Sequence, residues 1–235
     1  MTSSAGMAKH QAIQTQLREL VLGLQPGERL PPERQLAESL GVARMTVRQA
    51  IAALARDGLV RSVHGRGNLR SPDPVQLRVR LGSFADAIRE RDLEPTTRLL
   101  ECVHDDAPPP QVAEFLGPDA EPLLRVRRLR LGNGVPLALE RNWLPGSLVR
   151  GLTEADLTGS LYHYLEPRGL LPDSGEESVT TILPTVEEAA VLDVAPTRPV
   201  LRLVRRALKE QRPVEYAEAL FPADRCELWF PLGQG

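Results

Sequence analysis

The chain has 235 residues, 42% of them hydrophobic and 26% charged, with a formal net charge of −2; this is the make-up of a folded globular protein and excludes a disordered or collagen-like chain. Its apolar runs are far shorter than a bilayer requires and the first residues carry no basic-then-apolar leader, so no membrane association and a cytoplasmic location are expected. Two cysteines, Cys102 and Cys226, are too few for a disulfide framework and suit a reducing compartment.

In chain order, Lys9 to Gly23 carries apolar residues at Ile13, Leu17, Leu20, Val21 and Leu24, a helical stripe that Pro26 and Gly27 end. Pro32 and Glu33 open a second helix, with Leu36, Ala37 and Leu40 inward and Gly41 closing it. Val47, Ala50, Ile51 and Leu54 make one face of a third helix that stops at Gly58. Leu59 to Leu69 reads as a two-stranded ribbon turning at Gly65 or Gly67. Prolines at 72 and 74 then break any regular element. The expected boundaries are a first domain over 8–70, a linker over 71–80 and a second domain over 81–235.

Beyond the linker, Phe84, Ala87 and Ile88 predict a helix, Thr97 to Val103 a strand, and Val112 to Leu116 a short helix. Leu123 to Leu131 and Val135 to Trp143 predict strands joined through Asn133 and Gly134, a strong hairpin signal. Ser160 to Glu166 is a further helix, Glu177 to Leu183 a strand and Val186 to Leu192 a helix. A last hairpin pairs Val200–Ala207 with Val214–Phe221. The fold class is α+β, with an antiparallel sheet in the second domain. No internal repeat is visible.

Charge divides unevenly along this chain. Residues 1–70 hold ten basic and five acidic residues; the remainder holds 19 and 26. A basic head on an acidic body points to a head that meets a polyanion. Arg44 and Arg48, four apart, share a helix face beside the apolar stripe, which is what insertion into the major groove of double-stranded DNA needs: arginine is the best bidentate partner for guanine. Thr46 adds a hydroxyl or methyl contact. Arg34, at the start of the second helix, is placed for a backbone phosphate with help from the helix dipole. Gly65 and Gly67 let the ribbon tip approach the minor groove, with His64 and Arg66 reaching in.

These residues carry a resemblance. Leu30 to Arg34, Leu36-Ala37, Arg44, Thr46 to Arg48, Asp57 to Leu59, Gly65 and Gly67 resemble the winged helix-turn-helix of the GntR regulator family over about residues 10–70. The resemblance implies DNA contacts from Arg34, Arg44, Thr46, Arg48 and the ribbon glycine. Two positions depart from the pattern: Ala43 stands where Ser or Thr is usual, removing a helix cap, and Asn68-Leu69 replaces Thr-Phe. The remainder resembles the UTRA domain of the HutC branch, a chorismate-lyase-like fold. That likeness rests on Leu81 to Phe84, Arg128, Arg130, Pro136, Glu140, Ser160, Tyr162, Glu215-Tyr216 and Asp224-Arg225. It implies a homodimer and an effector site drawn from Ser83, Phe84, Arg128, Arg130, Glu140, Ser160, Tyr162, Glu215 and Arg225.

The chemistry of those residues suits an anion. Arg128 and Arg130 project from one face of a strand and bind phosphate or carboxylate in forked geometry; Ser160 caps a helix. Some of Arg125, Arg127, Arg128 and Arg130 must be solvated or paired with acids. A two-residue turn at Asn133-Gly134 puts Glu140 on the face opposite Arg130, so a shared site requires a loop of odd length or a bulge. A phosphorylated (amino) sugar and another small anion such as a carboxylate both remain open. Against the sugar, phosphosugar-binding relatives tend to carry a hydroxyl residue where Ala85 sits and Tyr where Phe221 sits. Cys102, His104, Asp105 and Asp106 read as a strand end with turn acids, and no metal is expected. His163 reads as a helix residue. With no assembled nucleophile and base and no cofactor motif, the expected function is a ligand-responsive repressor on a near-palindromic operator. An enzyme of chorismate-lyase-like fold is one alternative, and a non-sensing architectural DNA binder another.

Overall fold

The structure, a computed structural model, describes residues 3–63, 65–120 and 122–231, the side chains of 3–10 and 119 excepted. It divides into two compact units, 1–74 and 75–235.

The first unit holds α1 (Ser3–Gly23), α2 (Glu33–Leu40), α3 (Arg44–Arg56), β1 (Val60–Val63) and β2 (Gly67–Arg70). Ile13, Leu17 and Val21 of α1 close with Leu36 of α2 and with Val47, Ala50, Ile51 and Leu54 of α3 into one core. Each apolar stripe finds its burial against the other two, which is how short helices become stable. Gly41, with φ +62, ends α2, a backbone conformation that costs glycine nothing. The ribbon gains a contact not visible in the sequence: Leu30 N–H donates to Asn68 O (2.9 Å) and Arg70 N–H to Glu28 O (2.8 Å), so the loop after α1 lies along β2. α1 also begins before Lys9, where no apolar period marks its start.

The second unit has β3 (Val75–Arg78), α4 (Phe84–Arg89), β4 (Pro95–Asp105), α5 (Pro110–Leu116), β5 (Leu123–Gly132), β6 (Val135–Pro145), α6 (Glu154–Thr158), α7 (Leu161–Leu165), β7 (Ser174–Ile182), α8 (Val186–Leu192), β8 (Val200–Lys209), β9 (Arg212–Pro222) and β10 (Cys226–Trp229). Six strands form an antiparallel sheet in the order β4-β5-β6-β9-β8-β7. One face carries Leu129, Leu139 and Leu220 against Leu192 of α8, and Trp143 and Tyr216 against Val112 and Leu116 of α5. The other carries Ala138, Leu203, Ala219 and Phe221 against Ile88 of α4, Leu77 of β3 and Cys226 of β10.

Two expectations are corrected. Residues 75–78, expected within a linker over 71–80, form β3, which pairs in parallel with β10 from Val75↔Cys226 to Arg78↔Trp229. Prolines mask its start, and its partner lies at the far end of the chain, where no local signal points. The second correction is a repeat. Strand, helix and hairpin recur as β4-α5-β5-β6 and β7-α8-β8-β9. The two hairpins share one register: Gly132↔Val135, Leu131↔Pro136, then Arg130↔Ala138; and Lys209↔Arg212, Leu208↔Pro213, then Ala207↔Glu215. Arg128 answers to Arg205, Pro136 to Pro213 and Pro145 to Pro222. Most other positions differ between the two halves.

The bulge follows from those prolines. Asn133 (φ +48) and Gly134 (φ +75) make a two-residue turn of the type that matches strand twist. Pro136 has no N–H for the ladder, and the returning strand absorbs Leu137 as an extra residue. Arg128 then stands opposite Glu140, on the same face.

Candidate functional site

On α3, Arg44 and Arg48 share the face away from the core. Both close on one carboxylate: Glu33, first residue of α2, accepts from Arg44 Nε and from Arg48 Nη2, each at 3.1 Å. The hydrogen bond from Arg48, then that from Arg44, outweighs burial and holds the Glu33 carboxyl below the usual carboxylate range. Sequence reading missed Glu33. A carboxylate at a helix start reads as dipole compensation, and only the packing of α2 on α3 brings it to two arginines 11 and 15 residues away.

Arg34 is 84% exposed and only loosely paired with Glu38 at 3.8 Å. Thr46 is half-buried and Arg66 exposed; His64 lies outside the described residues. Gly65 and Gly67 have φ of +75 and +83. Gly67 meets a second demand, because a Cβ there would lie 3.3 Å from Arg29 Nε. Arg29 therefore lies against the ribbon, a neighbour that sequence spacing did not reveal.

Ala43 is the N-cap of α3 and offers no side-chain acceptor. Ala43→Ser is expected to stabilise the first unit by about 0.5–2 kcal/mol, read as a higher urea midpoint at unchanged slope; an unchanged midpoint would mean the free N–H groups already have a partner.

In the second unit a cavity of about 110 Å³ opens between the sheet and the segments of β3, α4, α7 and β10. Ser83, Phe84, Arg128, Arg130, Glu140, Ser160, Tyr162 and Glu215 all line it. Ser83 caps α4 and Ser160 caps α7, each accepting a backbone N–H at 3.4 Å. Arg128 donates to Glu140 (3.0 Å), Asn142 (3.1 Å) and Leu157 O (3.4 Å). Asn142 passes its amide to Glu215 at 2.7 Å, and the Tyr162 hydroxyl donates to the other Glu215 oxygen at 2.7 Å. Arg205 donates to Tyr162 (3.1 Å), to Glu177 and to Arg80 O (3.0 Å). Burial, then Glu215, push the Tyr162 hydroxyl well above its ordinary range, so it stays a neutral donor.

Arg130 differs from its neighbours. Like Arg128 it is buried with an unpartnered Nε; unlike Arg128 its guanidinium makes no hydrogen bond among the described residues, and its ion pair with Glu140 spans 3.6 Å. Its guanidinium lies 4.8 Å from the Phe84 ring centre. Burial, against the pull of Glu140, lowers its pKa to about 10, so it remains a cation at neutral pH. A buried cation with unspent donors is costly unless an anion completes it.

Arg225 does not join them. Its guanidinium donates to the main-chain carbonyls of Pro136 (3.1 Å), Leu192 (2.7 Å) and Asp193 (2.6 Å), which makes it a clasp on the turn after α8. Arg205 and Asn142 complete the cavity instead. The repeat would have found Arg205, which answers to Arg128. Outside the cavity, Arg125 pairs with Glu101 and Asp105, and Arg127 with Glu187. Asp105 also accepts from the Trp143 indole at 2.8 Å, and His163, in α7, pairs with Asp86 at 3.0 Å.

A family model of the UTRA domain matches residues 90–227, and that of the bacterial regulatory proteins of the gntR family matches residues 9–69. The chain belongs to the GntR family. This GntR-family regulator is 32% identical over 206 residues to the HTH-type transcriptional repressor NagR of Bacillus subtilis (strain 168), covering 86% of this chain and 84% of NagR. It is 30% identical over 206 residues to the mannosyl-D-glycerate transport/metabolism system repressor MngR of Escherichia coli (strain K12), covering 86% and 85%. Its fold is similar to the crystal structure of PhnF from Mycobacterium smegmatis, with a TM-score of 0.66 at 28% identity over 95% of this chain and all of that one. The family consists of DNA-binding, ligand-responsive transcription regulators and not of enzymes, so the lyase alternative falls. Among the described residues no helix is long and apolar enough to cross a membrane.

Proposed function

We propose that this regulator is a cytoplasmic homodimeric repressor whose heads read a near-palindromic operator and whose second unit takes a small anion at Arg130. The observation that carries the reading is Arg130 itself: a buried guanidinium with unspent donors on a cavity wall. Arg34, Arg44, Thr46, Arg48 and the ribbon residues around Gly65 and Gly67 are assigned to DNA. The names of NagR and MngR support repression, and a two-fold dimer mirrors the symmetry of a palindromic site. A phosphorylated sugar and a carboxylate both satisfy the anion requirement.

Effector and operator are expected to oppose each other through linkage: whatever factor the effector takes from operator affinity, the operator takes from effector affinity. Titration calorimetry of one effector, with and without a duplex the protein itself selects from genomic fragments, measures that factor, expected at about 5–150-fold. Equal affinities in both titrations would sink the proposal.

A further inference from the structure

The polar groups lining the cavity are nearly all engaged with one another. Both Glu215 oxygens, the Asn142 amide, the Tyr162 hydroxyl and the Arg205 guanidinium belong to one closed network. Among the described lining residues the network leaves over mainly donors: those of Arg130, the Nε of Arg128, the exposed Arg78 side chain, and the hydroxyl hydrogens of Ser83 and Ser160. The rest of the wall is one contiguous apolar patch of Leu77, Leu203, Ala219 and Phe221, with Phe84 and Leu228 packed beside it. Phe221 has no hydroxyl to offer there.

From this inventory we infer that the effector is a small anion with an apolar body, an alkyl or aryl carboxylic acid, its carboxylate on Arg130 and its body against Phe84, Phe221 and Leu203. The inference rests on the anion-at-Arg130 reading and narrows its ligand class. Two arguments carry it. A sugar brings several hydroxyls, and each one buried without a partner weakens binding; the free partners here do not suffice. Size agrees as well: at about 110 Å³ the cavity is smaller than the roughly 150 Å³ that encloses benzene, so it suits a short chain, or a ring that reaches its opening.

Calorimetry of the full chain with acetate, butyrate, hexanoate, benzoate, glucose 6-phosphate and glucosamine 6-phosphate tests it, repeated on Arg130→Met. Affinity is expected to rise from acetate to hexanoate by about fourfold per methylene, with hexanoate or benzoate at least about tenfold tighter than either sugar phosphate, the ratio that 1.4 kcal/mol of apolar burial gives. Binding should vanish in Arg130→Met. Sugar phosphates tighter than both apolar acids, or a flat series from acetate to hexanoate, would overturn the carboxylic-acid class and leave the anion reading standing. No binding from the whole panel, or binding that survives Arg130→Met, would overturn both. The chain-length series needs no variant, so it stands even if Arg130→Met does not fold.

Discussion

Arg48→Ala is expected to cost about 1–3 kcal/mol of operator affinity, concentrated at one base pair, while affinity for unrelated duplex falls far less. Arg48 reaches solvent from the exposed face of α3 and contributes nothing to the core beneath it. Its loss leaves Glu33 with Arg44 at 3.1 Å, so the packing of α2 on α3 survives and the change is confined to recognition. Arg34→Ala should behave differently. Its side chain projects from the start of α2, so its removal should weaken all duplexes about equally and lower the slope of log K against log salt by about one. Fluorescence anisotropy on operator and scrambled duplex at several salt concentrations separates the two. If Arg34 proves the specific contact and Arg48 the uniform one, α3 does not enter the major groove as assigned.

The second large effect is a contrast between neighbours. Arg128→Met is expected to destabilise the second unit by about 3–5 kcal/mol, because it leaves Asn142 and Leu157 O without a donor and Glu140 short of its closer cation. In a chain of this size that is a fall in melting temperature of roughly 10 °C. Arg130→Met, two residues on, should change stability by less than about 1 kcal/mol or raise it: among the described residues Arg130 makes no hydrogen bond to lose, Glu140 keeps Arg128 at 3.0 Å, and the methionine stem fills the space beside Phe84. The same Arg130 variant should lose all response to effector. Thermal melts of the two variants decide the matter. A collapse of Arg130→Met comparable to that of Arg128→Met would show that Arg130 is a structural cation and would remove the argument for a bound anion.

How much of this was legible beforehand depended on range. The three helices of the head, their stops at Gly41 and Gly58, and both hairpins of the body announce themselves within a dozen residues, through apolar period and turn chemistry. Arg44 and Arg48 were readable because a helix fixes which residues share a face. The bulge was half legible. A shared site for Arg130 and Glu140 demanded one, and Pro136 supplied the reason, yet the matching Pro213 went unread because the repeat around it has lost most of its identities.

By itself, then, the sequence determined the kind of protein: a basic three-helix head with a ribbon, a sheet domain behind it, and arginines at spacings that suit DNA in one and an anion in the other. Only the tertiary structure decided which charges are spent. Glu33 takes two arginines from another helix, Arg225 is consumed by three carbonyls, Arg205 enters the cavity from the second half of the repeat, and β3 finds β10 at the opposite end of the chain. Each of these depends on side chains or backbone brought together from distant positions. Spacing along one element fixes a face, but only the packing of elements fixes which donors and acceptors meet and which are left for a ligand.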